Sequence, residues 1–217
     1  MADALKETND YLGYPGTPPE SRLATLFDQL YFGASLYQRS HGFSGGGPKT
    51  GFISLERVLI KNESVRALEK VLGKGKLAIV TGRPSVGTSY SMGKSLMDHF
   101  NKEASLFIGD ADINPQMRAE YDKFRKPSPE ALVRAAEKLS SKALLYVGDS
   151  AEDLMMVRDG KADGRLKDCL FAGVYGMSPE PKEQVAFLEG NGSDLIVRSV
   201  NDIPARLLAA KREPKPS

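Results

Sequence analysis

"LLYVGDSAEDLMMV", residues 144–157, decides how the chain is read. Four apolar residues run into Gly148 without polar alternation, the pattern of a strand buried on both faces and so of a parallel sheet. Asp149 or Ser150 can cap a helix that begins near Ala151. Asp149 and Asp153 lie one helical turn apart, so both carboxylates can face the crevice at the strand's carboxyl end, the default place for a site in an open α/β sheet. Two hard oxygen ligands there suit Mg²⁺ bound jointly with a phosphate.

Outward from this stretch the same alternation recurs. "KLAIV" (76–80), "ASLFIG" (104–109), "CLFAGV" (169–174) and "DLIV" (194–197) read as strands. Helical patterns separate them in "NESVRALEKVLGKG", "SVGTSYSMGKSLMDHF", "SPEALVRAAEKL" and "VNDIPARLLAAK". Short apolar strands alternating with helices predict an α/β fold, a Rossmann-like parallel sheet with helices on both faces. Before residue 52 the pattern differs. "SRLATLFDQLYFGASLYQ" carries Leu23, Leu26, Phe27, Leu30 and Tyr31 at helical spacing, between the loops "GYPGTPPES" and "HGFSGGGPKTG". The expected organisation is a helical segment and loop over 1–51, an α/β core over 52–210 and a polar, flexible tail over 211–217.

Composition narrows the class. The chain has 217 residues, 41% of them hydrophobic, which is enough for a sizeable core. Thirty basic and 28 acidic residues are mixed along it for a net charge of +2, so nucleic acid is not the expected partner. No apolar run approaches the ~20 residues that span a bilayer, and "MADALKETND" resembles no leader. The single cysteine, Cys169, sits in an apolar run and reads as a small buried hydrophobe, which fits a reducing, cytoplasmic location.

Three boundaries carry loaded residues. "LAIV" ends in Thr81-Gly82-Arg83-Pro84, which offers a hydroxyl and backbone N–H groups to an oxyanion. Lys126 precedes Pro127 near a helix start, where a cation and a helix N-terminus both favour phosphate. The third is the acidic pair. Singly, each has a plain alternative: a turn at Thr81, a surface lysine, a helix cap. Together they describe a phosphate pocket. Arg83 reads as a surface or ion-pairing residue, and His41 and His99 as structural or solvated. "GFSGGGPKT" is not a phosphate loop, because Pro48 separates Gly47 from Lys49.

In this order the motifs resemble the second, third and fourth of the haloacid dehalogenase superfamily of phosphatases, over roughly residues 52–200. "AIVTGRP", "KPSPEAL" and "YVGDSAEDL" look most like its phosphoglycolate-phosphatase-like branch. The resemblance implies that Thr81 and Lys126 are catalytic. Thr81 and the Gly82 N–H would hold the transferring phosphoryl group of a phosphorylated small molecule, and Lys126 would pair with it. Asp149 would ligate Mg²⁺, while Asp153 would hold the metal's water shell or anchor Lys126.

The family's nucleophile belongs to a D-x-D motif upstream of all these residues. Upstream of Thr81 the chain has only Asp3, Asp10 and Asp28, and no D-x-D; Asp28 reads as part of a solvated helix face. The first 50 residues look like the later part of a helical cap, as though the first strand and its aspartates were lost. The expectation is a dehalogenase-like phosphatase domain that is inactive as this chain, and the alternative is a pseudoenzyme or binding module. An absent first strand would leave a sheet edge open to a second copy or to a partner chain that completes the sheet. The one D-x-D, Asp110 and Asp112 in "SLFIGDADIN", stands between the second and third motifs. It is expected at the substrate rim; a rearranged site with Asp110 aimed at the phosphate is the minority alternative.

Overall fold

The computed structural model describes residues 2–14 and 16–212. The fold is α/β, with ten α-helices and two small parallel sheets among the described residues. The strands are β1 (Val80–Thr81), β2 (Leu106–Phe107), β3 (Ala143–Gly148), β4 (Asp168–Val174) and β5 (Leu195–Val197). The helices are α1 (Ala2–Leu12), α2 (Arg22–His41), α3 (Asn62–Leu72), α4 (Ser85–Met97), α5 (Asp110–Ile113), α6 (Arg118–Tyr121), α7 (Glu130–Leu139), α8 (Ala151–Ala162), α9 (Pro181–Gly190) and α10 (Ile203–Arg212). They fall into two compact units. One comprises Met1–Arg57, Arg83–Gly93 and Phe107–Asp122; the other comprises Val58–Gly82, Lys94–Leu106 and Lys123–Ser217.

The second unit holds most of the sheet. β3, β4 and β5 pair in parallel in that order, with Leu145 opposite Leu170 and Gly148 opposite Gly173. Phe171, Ala172 and Cys169 of β4 are buried, as are Leu154, Met156 and Val157 of α8, a helix that lies in contact with β4, and Cys169 is a free thiol. Burial pushes that thiol up to about 11, so it stays protonated and apolar in character. Ser150 caps α8 in a reciprocal capping box with Asp153, satisfying N–H groups that a helix start leaves without partners.

The expected single sheet is divided in two. "KLAIV" and "ASLFIG" contribute only β1 and β2, each two residues long. Beyond these two residues the bonding between the segments mixes backbone and side-chain partners. Ile79 N–H donates to Ser105 Oγ at 3.0 Å, while the Leu77 carbonyl accepts from Asn101 N–H and the Ile79 carbonyl from Leu106 N–H. Of the tail expected over 211–217, Lys211 and Arg212 still belong to α10, and residues 213–217 lie outside the described residues.

In the first unit, α2 forms where the periodicity placed a helix, but most of the apolar stripe of its first half stays exposed. Leu26 is 55% exposed and Phe27 63%, and Leu23 and Leu30 are exposed as well. Phe32, Leu36 and Tyr37 are buried instead, in a cluster with Ile53. The break is at Gly33, whose φ of 72° and ψ of 165° interrupt the helix and turn the following residues onto a different face. A β-carbon at Gly33 would lie 2.4 Å from Gly51 N, so only glycine permits both this backbone and the close approach. Asp28 is not a solvated face residue: it accepts from His41 Nε2 at 3.1 Å, and the imidazole stacks on Tyr37. His99 likewise pairs with Glu69, at 2.7 Å.

Candidate functional site

The carboxyl end of β3 is built around Asp153, which is 3% exposed. Its Oδ1 accepts from Lys126 Nζ at 2.5 Å and from Tyr146 Oη at 2.8 Å. Its Oδ2 accepts from the backbone N–H groups of Asp149 and Ser150, each at 3.3 Å. Burial alone would push this carboxyl up. The hydrogen bond and charge of Lys126, with the hydroxyls of Tyr146 and Ser150, outweigh it and hold Asp153 below the usual carboxylate range. Tyr146 is driven the other way, first by burial and then by the Asp153 charge, so its hydroxyl stays protonated and donating.

These contacts bring sequence-distant residues together. Tyr146 Oη also lies 3.4 Å from the Val80 carbonyl, next to Thr81, and Lys126 Nζ stands over the Tyr146 ring. The end of β1, Lys126, Tyr146 and the β3–α8 turn thus form one connected arrangement within the second unit. Lys126 is joined to Pro127 by a cis peptide bond, and α7 begins three residues later, at Glu130. The ammonium is therefore oriented by Asp153 and the Tyr146 ring, with the helix start a separate feature. Tyr146 was not a sequence candidate; its only signal was a hydroxyl in an otherwise aliphatic strand.

Gly148 has a specific steric role. A β-carbon there would sit 2.5 Å from Asp153 Oδ2 and 2.7 Å from Asp153 Cγ. Only a residue without a side chain lets the carboxylate fold back over the strand end. A β-carbon at Gly82 would meet nothing within 4 Å.

Asp149 differs from its neighbour. Its side chain is exposed and takes no hydrogen bond or ion pair among the described residues; only its backbone is engaged, the carbonyl accepting from Gln184 Nε2 at 2.9 Å. The donor set for a divalent cation is correspondingly small. Both Asp153 oxygens are already saturated, and no group of three or more candidate ligand side chains occurs among the described residues. Asp149 fits Mg²⁺ as a single carboxylate ligand, a mode that relies on phosphate oxygens and water for the remaining positions.

Asp110 and Asp112 belong to the first unit. Asp110 opens α5, and its Oδ1 accepts from Ser85 N–H at the start of α4, at 2.6 Å. Its pKa is raised, by burial foremost. Asp112 is half-buried on the same short helix. Arg83 is also in this unit, where it forms an ion pair with Glu56 at 2.7 Å and donates to Tyr31 Oη.

No protein family, curated protein or solved structure that was compared matches this chain. No helix among the described residues is long and apolar enough to cross a membrane.

Proposed function

We propose that the ends of β1 and β3 form a phosphate pocket of the haloacid dehalogenase type in a Rossmann-like domain, and that this chain by itself binds phosphate without hydrolysing it. The observation that carries this reading is the fixed Lys126 ammonium, held on Asp153 and Tyr146, with Asp149 exposed in the β3–α8 turn and its carboxylate unpaired among the described residues. The Thr81 hydroxyl and Gly82 N–H supply donors for phosphate oxygens, Lys126 supplies the charge, and Asp149 offers Mg²⁺ one carboxylate. Positioning and charge neutralisation dominate phosphoryl transfer, so the same residues suffice for binding.

Hydrolysis by this route needs a carboxylate nucleophile as well. The aspartates before Thr81 lie on helices of the first unit. Asp3 and Asp10 are on α1, where Asp10 pairs with Lys6, and Asp28 on α2 holds His41. A reducing, cytoplasmic setting agrees with the lone buried thiol.

Calorimetry with inorganic phosphate and Mg²⁺, together with turnover of p-nitrophenyl phosphate, tests the proposal. Binding that is lost in Lys126→Met, with turnover at background, is the expected result. Absence of phosphate binding would overturn the pocket, and turnover abolished by Asp149→Asn would overturn the inactivity.

A further inference from the structure

Within the first unit, the last turn of α2, the start of α4 and the short helix α5 surround a cavity of about 220 Å³. Two of its lining residues carry opposite charges, Arg39 of α2 and Asp110 of α5. They do not pair with each other. Among the described residues the Arg39 side chain makes no hydrogen bond or ion pair, and the Asp110 carboxylate is engaged only with Ser85, whose N–H it takes at 2.6 Å. Asp110 is half-buried, and that burial raises its carboxyl, as it does for an anion short of a counter-charge.

The neutral polar groups of the lining leave both kinds of hydrogen-bonding partner on offer. Ser40 donates its hydroxyl to the Leu36 carbonyl at 2.7 Å, so its oxygen can still accept. Asn114 Oδ1 accepts from Gln116 N–H at 3.2 Å, so its amide N–H groups can still donate. The apolar part of the lining is held in place from behind: Val86 and Ile113 also pack against the buried Phe32–Leu36–Tyr37–Ile53 cluster. A wholly anionic ligand would meet the Asp110 carboxylate, which already takes the N–H at the start of α4. A wholly cationic one would meet Arg39. Like charges at close range disfavour both. The charge complement of the cavity is therefore a molecule with one positive and one negative end. Its volume lies below the roughly 300–1,000 Å³ of sites for drug-sized ligands, so that molecule is small.

We propose that this cavity binds a small α-amino acid with an apolar side chain, as the zwitterion. The ligand's carboxylate pairs with Arg39 and the Asn114 amide, its ammonium with Asp110 and the Ser40 oxygen, and its side chain covers Val86 and Ile113. Each charged wall selects one end of the ligand, and together they reject molecules that carry only one of the two charges. Binding here does not depend on the phosphate pocket: amino-acid capture by a chain without phosphate affinity would leave it standing.

The probe is L-valine, titrated calorimetrically into the whole chain beside two analogues of the same shape that keep one charge each, isovalerate and isobutylamine. L-valine is expected to bind about tenfold or more tighter than either, the worth of a charge-assisted hydrogen bond. Glycine, which leaves Val86 and Ile113 uncovered, should bind more weakly than L-valine. Arg39→Gln should weaken L-valine by a similar factor without weakening isobutylamine. Asp110→Asn, which keeps an acceptor for the Ser85 N–H, should weaken L-valine without weakening isovalerate. Should Asp110→Asn fail to fold, Arg39→Gln, at an exposed side chain, and the analogue series on the unsubstituted chain decide. No binding of L-valine at millimolar concentration, equal affinity for L-valine and either analogue, or an L-valine affinity unchanged in Arg39→Gln would overturn the proposal.

Discussion

Lys126 Nζ lies 2.5 Å from Asp153 Oδ1, and the carboxylate it meets is also the capping-box residue of α8. One side chain therefore couples the orientation of the lysine to the start of a helix. Removing one member of a buried pair strands the other, and the consequences differ for the two partners. Asp153→Ala deletes the lysine's counter-charge and also the acceptor for the Asp149 and Ser150 N–H groups. It should cost roughly 3–5 kcal/mol. Lys126→Met leaves Asp153 with Tyr146 and two backbone donors and should cost less, and the double variant should lose less than the sum. Urea denaturation of the three variants measures this. A loss of about 1 kcal/mol or less for Asp153→Ala, the worth of an exposed pair, would contradict the buried arrangement.

The same carboxyl sets a pH dependence. Asp153 is held lower in the folded chain than in the unfolded one, where the ordinary value is about 3.9. Its contribution is therefore fully present above that value and is lost only as pH falls through the depressed folded pKa. Stability measured between pH 2 and 7 should fall at the acid end, and in Asp153→Asn this fall should be shallower, while between pH 5 and 7 the two curves should run parallel. Identical acid limbs would mean that Asp153 is not the group being titrated.

The break at Gly33 separates two leucines of α2. Leu36 is 5% exposed in the Phe32–Tyr37–Ile53 cluster, whereas Leu26 lies on the exposed stripe. Leu36→Ala should cost roughly 2–5 kcal/mol, and Leu26→Ala should stay within about 0.5 kcal/mol. Chemical denaturation distinguishes them; comparable losses would place Leu26 in a packed environment.

These contrasts show where the sequence was legible. The elements β3, β4 and β5 were readable from their unalternated apolar runs, and α8 from its capping residues, because backbone pairing and local hydrogen bonds act within a few residues. The exposure of the stripe on α2 is not legible, because periodicity reports that a helix has an apolar face but not which turn carries it to the core, and Gly33 at φ 72° breaks the helix between the two halves. The shortness of β1 and β2 is not visible in the sequence, because at Ile79 the Ser105 hydroxyl takes up the N–H that a longer ladder would have paired. α9 went unread although Pro181 stands at its first turn and Gly190 at its end, the expected asymmetry of a helix. At the candidate site, Thr81, Lys126, Asp149 and Asp153 are identifiable as residue types at strand and helix boundaries. Tyr146 was not, since an aromatic in an apolar strand reads as core until its hydroxyl is seen between the Val80 carbonyl and Asp153.

Gly148 offers the most local test of the strand end. A methyl group there meets Asp153 Oδ2 at 2.5 Å and Asp153 Cγ and Cβ at 2.7 Å. The carboxylate has little room to withdraw, because Lys126 and Tyr146 hold one oxygen and two backbone N–H groups hold the other. Gly148→Ala should therefore cost about 1–3 kcal/mol, as overpacking does. In an Asp153→Ala background the clashes with Oδ2 and Cγ disappear, and only that with Cβ remains. The two substitutions should consequently be less than additive in denaturation, by more than the ~0.5 kcal/mol scatter of independent sites. Strict additivity would mean that the crowding at Gly148 is relieved by a shift of the strand, and that the fold-back of Asp153 over Gly148 is not what requires glycine there.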